Sequence, residues 1–89
     1  MNEIKDKWDE IKEIVRREYD LTEISYNTWI APLKLHTVEN NIVTILIPSE
    51  QAHALNYISN KYKSYFQVTI SELMNHTYDI SFLLEKDTD

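Results

Sequence analysis

The chain has no glycine and no cysteine, and each absence removes a class of chemistry. Phosphate-binding loops use glycine to reach positive φ and to let the backbone approach the phosphates. A Walker A loop or dinucleotide fingerprint is therefore excluded, and neither nucleotide binding nor nucleotide hydrolysis is expected. Without cysteine there is neither a disulfide framework nor a thiolate metal site. Long apolar runs are missing too. The longest, ILIP with its neighbours, falls far short of the roughly 20 residues that span a bilayer. Cations are scarce: 9 Lys and Arg stand against 15 Asp and Glu, a net charge of −6. Nucleic-acid affinity comes from Lys and Arg displacing counterions, so a dedicated nucleic-acid binder is disfavoured. Any local basic patch would work against the overall field.

What is present describes an ordinary small globular protein. Its 89 residues are 43% hydrophobic and 27% charged, enough for one core near the lower size limit for folding without crosslinks. Residues 1–8 hold no apolar secretory segment, and a soluble cytoplasmic protein is the expectation. One domain is expected over residues 1–84, with 85–89 a frayed acidic tail or the start of a linker.

Ile4, Trp8, Ile11 and Val15 recur at helical spacing, with acids early and Arg16 and Arg17 late, as the helix dipole prefers. This predicts an amphipathic helix of about four turns. Asp20 with Glu23 resembles a capping box opening a second helix over 21–30. That helix holds most of the stretch SYNTWIAPL, whose Tyr26, Trp29, Ile30 and Leu33 share one face. Pro32 should stop it near Ile30. Leu33, Leu35 and Thr37 then alternate, and Glu39-Asn40-Asn41 makes a tight turn in which asparagine does the work of glycine. Ile42–Ile47 is dense enough in β-branched residues to predict a strand buried on nearly both faces. Ser49 would cap a third helix, with an apolar stripe of Leu55, Ile58, Tyr62, Tyr65, Phe66, Thr69, Ile70 and Leu73. Asn75 and His76 break it, and Tyr78, Ile80, Phe82 and Leu84 alternate as a last strand. The order is α-α-β-β-α-β, an α+β fold with a three-stranded sheet covered by helices.

Catalytic signals are weak. His36, His53 and His76 stand apart from one another, so no metal centre is expected, and no cofactor. Asp9, Glu10 and Glu13 fit a solvated helix face, and nothing arranges Ser, His and Asp into a triad. An enzyme is not expected, which leaves binding. Trp8 is either core or an interface anchor, and Trp29 is expected in the core. Tyr57 falls off the third helix's main stripe and should be exposed. Lys61 and Lys63, near Tyr57, Tyr62 and Tyr65, form either a solvated face or a weak single-stranded nucleic-acid contact.

A first helix bearing Trp8, then SYNTWIAPL, a hairpin, the strand end Ile47-Pro48 and a helix with NYISNKY resemble the amino-terminal domain of DnaA, the bacterial replication initiator. The resemblance runs from about Ile4 to Leu84. It implies a compact fold related to KH domains and an interaction hub rather than a catalyst. Self-association, recruitment of the replicative helicase and binding of regulatory proteins are the roles it implies, with weak single-stranded DNA contact in some members. By position, Trp8 matches the tryptophan associated with self-association. The family's acidic contact, four residues before Trp29, matches Ser25. Glu23 is the nearest acid, and Asn27 lies on the same outer side. A second contact, an aromatic one turn before Tyr57, falls on His53, Ala54 or Leu55. Two other readings stay open: a KH-like single-strand binder, although the glycine-containing backbone clamp of KH domains is missing, and a stand-alone regulator of an initiator.

Overall fold

A computed structural model describes residues 3–88 of the chain. The amino-terminal stripe is two helices rather than one. Helix α1 (Glu3–Asp6) and helix α2 (Trp8–Glu18) meet at Lys7, whose φ of −106° and ψ of 14° leave the helical region. Ile4, Trp8, Ile11 and Val15 nonetheless all enter the core.

Helix α2 ends on Asp20 at φ 52°, a left-handed conformation usually given to glycine. The Leu21 N–H donates to the Arg16 carbonyl at 3.0 Å and the Asp20 N–H to that of Arg17 at 3.3 Å, the Schellman pattern. Asp20 thus closes one helix rather than opening the next. The cap of the next is Thr22, whose hydroxyl accepts the Ser25 N–H at 3.1 Å, and the predicted start moves two residues along. Helix α3 (Glu23–Ser25) runs directly into a π-helical turn, Tyr26–Ile30, closed by the Ala31 N–H on the Tyr26 carbonyl at 2.8 Å. The helix stops at Ile30, as Pro32 predicts.

The carbonyls left over at that stop are satisfied from other elements. Pro32 has no N–H for Thr28, whose carbonyl takes the Gln51 side-chain amide at 2.9 Å instead. From α2, Lys12 Nζ donates to the Ala31 carbonyl at 3.0 Å, and Trp8 Nε1 donates to that of Leu33 at 3.0 Å.

Strand β1 (Lys34–Glu39) and strand β2 (Ile42–Ile47) form an antiparallel hairpin with a bulge between Leu35 and Thr37. Asn40 and Asn41, at φ 53° and 64°, make its two-residue turn, with the positive φ at both positions that a type I′ turn needs. Strand β3 (Asp79–Leu84) pairs parallel to β2, giving a mixed sheet in the order β1-β2-β3. Burial along β2 alternates: Val43, Ile45 and Ile47 are buried, whereas Ile42 is exposed and Thr44 and Leu46 are half-buried. The expectation of burial on both faces is corrected, because only one face of the sheet is fully covered.

After Pro48 a 3₁₀ turn, Ser49–Ala54, precedes helix α4 (Leu55–Met74). Ser49 does not cap it. Its hydroxyl accepts the Lys86 N–H at 2.8 Å. Ile58, Tyr62, Phe66, Thr69 and Ile70 form the buried stripe, with Trp8 stacked on Phe66 at 5.5 Å. Asn75 ends α4 with a second Schellman motif at φ 53°. After β3 the chain makes a 3₁₀ turn, Glu85–Asp87, held by the Ser49 bond and by an ion pair from Lys34 to Glu85 at 3.1 Å, within the segment expected to be a frayed tail or the start of a linker. Asp89 of that tail lies outside the described residues, as do Met1 and Asn2 of the expected domain.

Asp20 combines an L-residue in a left-handed conformation with a negative charge at a helix carboxyl end. Asp20→Gly should therefore stabilise the protein by about 1 kcal/mol in denaturant melts. Lys12→Met keeps the aliphatic stem and removes a charged donor from a part-buried carbonyl, and should cost about 1.5–3 kcal/mol in the same assay. An unchanged midpoint for Lys12→Met would deny the bond a part in stability.

Candidate interaction surface

The expected site residues fall into two groups joined by Thr28 and Trp29. Glu23 and Asn27 are exposed and line a shallow depression with Arg16 and Tyr26. Ser25 is half-buried at the end of α3. On the other side, His53 and Tyr57 are exposed at the start of α4, Leu55 is half-buried and Ala54 is buried. The Thr28–Gln51 bond ties the first group to the 3₁₀ turn, and the Trp29 ring packs on Tyr57 at 5.4 Å. Trp29 is therefore only half-buried, roofing the core rather than filling it.

The electrostatics differ between the two ends. Arg16 bonds Glu13 through Nε at 3.0 Å and lies over the Tyr26 ring at 5.9 Å. That bond holds the Glu13 carboxyl below its usual range and the Arg16 guanidinium above its own, while burial pushes the Tyr26 phenol up. At the α4 end, Lys61 Nζ donates to the Tyr57 hydroxyl at 3.1 Å, which raises the Lys61 ammonium. Lys63 lies two residues on and pairs with Asp79 of β3 at 3.7 Å. The two lysines therefore do not converge on one strip, as an extended strand of nucleic acid would require.

Trp8 resolves as core. It is 8% exposed, with its N–H bonded and its ring stacked. The surface residue that sequence reasoning passed over is Ile24, 79% exposed beside Glu23. A signal was available: Ile24 is a large aliphatic off the 26, 29, 30, 33 stripe. Gln51 and Lys12 were also missed, and neither has a local signal, because both bond carbonyls about 20 residues away in the chain. Among the described residues no group of three His, Asp or Glu could hold a metal ion, and no helix is long and apolar enough to cross a membrane.

Comparison with known proteins places this fold in a family. Residues 5–75 match the DnaA N-terminal domain. The chain is 37% identical over 87 residues to the chromosomal replication initiator protein DnaA of Lachnoclostridium phytofermentans, covering 96% of this chain and 19% of that protein. It is 36% and 34% identical over 62 residues, 70% of this chain, to the DnaA proteins of Geotalea daltonii and Geotalea uraniireducens, of which it covers 14% and 13%. The chain belongs to the family of DnaA N-terminal domains. It spans a fifth or less of the length of these curated relatives.

Because Trp8 is buried, its truncation acts on the fold first. Trp8→Phe should cost about 1–3 kcal/mol by leaving the Leu33 carbonyl only the long bond from Lys12 Nζ at 3.5 Å. Denaturant melts of the variant against the parent check this.

Proposed function

We propose that this chain is a non-catalytic protein-interaction module of a replication initiator, contacting the replicative helicase and regulatory proteins through the α3–α4 surface. The observation carrying this reading is Ile24. An isoleucine left largely in water, flanked by Glu23 and Asn27, is a ready anchor for an apolar contact with a polar rim. The tie from Thr28 to Gln51 and the packing of Trp29 on Tyr57 support it, since they hold both halves of the surface in one arrangement before any partner arrives, which lowers the ordering cost of binding. Small, partly charged surfaces of this kind suit transient, regulated contacts. Self-association, if it runs through the first helices, would use the exposed residues beside Trp8 and need Trp8 itself only as their support.

The test is a backbone NMR titration with the amino-terminal domain of the replicative helicase from the same cell. Shifts should cluster at Glu23 to Asn27 and His53 to Tyr57. Ile24→Lys should weaken binding about tenfold or more, a loss of at least ~1.4 kcal/mol, while leaving the melting temperature unchanged. Silence with the helicase domain, alongside shifts at Lys61 and Lys63 on adding single-stranded DNA, would favour the strand-binding alternative.

A further inference from the structure

On another part of the molecule, α2 and α4 leave an open groove of about 370 Å3, lined by Ile14, Val68 and Leu73 and flanked by Glu18 and Glu72. Its floor is apolar and accessible, Val68 being 45% exposed. Its wall includes Tyr19, whose ring lies flat against Tyr65 at 3.8 Å and so cannot swing in to fill the space without losing that stack. Among the described residues, the ion pairs use Asp9, Glu13, Asp79 and Glu85, and neither Glu18 nor Glu72 is in one. Burial raises the Tyr19 phenol, and Glu72, Tyr65 and Glu18 add to the rise. The groove is thus a largely apolar trough whose lining carries two carboxylates outside any of these ion pairs.

We infer that this groove docks a basic amphipathic helix of a protein partner. One apolar side chain would enter between Ile14, Val68 and Leu73, and lysine or arginine one turn away on either side would reach Glu18 and Glu72. Charge complementarity selects the occupant. A polyphosphate strand is repelled by both carboxylates, and a second copy of a chain carrying a net charge of −6 approaches against its own field. The groove is also well separated from the surface around Tyr57. Glu72 lies fifteen positions beyond Tyr57 on α4, about 22 Å along the helix axis. Two partners could therefore be held at once, and this inference stands whether or not the first surface takes the helicase.

The experiment uses methyl-labelled protein and a synthetic leucine–lysine amphipathic peptide of about 14 residues, four helical turns, with its leucine–glutamate counterpart as control. Saturable methyl shifts at Ile14, Val68 and Leu73 are expected with the lysine peptide only, and binding should weaken as salt rises. The double variant Glu18→Gln, Glu72→Gln should bind about tenfold more weakly while melting as the parent does. Both side chains are exposed, so folding is not at stake. The inference is overturned by equal binding of the glutamate peptide, by undiminished binding to the double variant, or by shifts centred on Trp29 and Tyr57. Shifts at the groove on raising the protein concentration alone would give it to a second copy and also overturn the proposal.

Discussion

The whole arrangement depends on how the chain leaves its aromatic helix and enters the sheet. Pro32 withholds the N–H that the Thr28 carbonyl would accept, and the π-helical turn before it shifts the closing bond from Ala31 to Tyr26. Several carbonyls are thereby released within a few residues, next to a hydrophobic core where an unpaired acceptor is costly. Two donors from α2, Trp8 and Lys12, and one from the turn before α4, Gln51, take up three of them. These bonds join α2, the aromatic helix, the entry to β1 and the turn before α4 at one place. Ile30 and Leu33 are buried beside it.

This junction gives Trp8 and Trp29 unequal parts. Trp8 is consumed by the fold, with both its ring and its N–H engaged. Trp29 lies at the edge, where its contact with Tyr57 sets the spacing between the two halves of the exposed surface. Trp8 is thus separated from solvent, while Ile24 carries the exposed apolar area. Position in a motif and position on a surface are different properties, and the second depends on packing.

The absence of glycine has a structural solution that repeats. Among the described residues four take positive φ, and all are aspartate or asparagine: Asp20 and Asn75 close helices with the same pair of backbone bonds, and Asn40 and Asn41 turn the hairpin. Their short polar side chains tolerate the left-handed region better than other L-residues. The Asn41 side chain also meets His76 at 2.8 Å, which ties the hairpin turn to the end of α4.

Much of the fold was legible in the sequence because it follows from periodicity and from single residues with strong local effects. The buried face of Ile4, Trp8, Ile11 and Val15, the stop at Pro32, the asparagine turn and the buried stripe of α4 each depend on neighbours within a few positions, and these took the expected form. The break at Lys7, the true cap at Thr22, the one-sided burial of β2 and the anchored turn at Glu85–Asp87 did not follow from local pattern. They depend on which distant groups arrive with a donor, an acceptor or a covering side chain. The candidate surfaces divide in the same way. Sequence by itself determined the family, the elements and the exposed Tyr57, since these follow from residue type and spacing. Only the tertiary structure decided that Trp8 is interior and that Glu18 and Glu72 line a common groove, because distance between side chains on different elements is a property of packing alone.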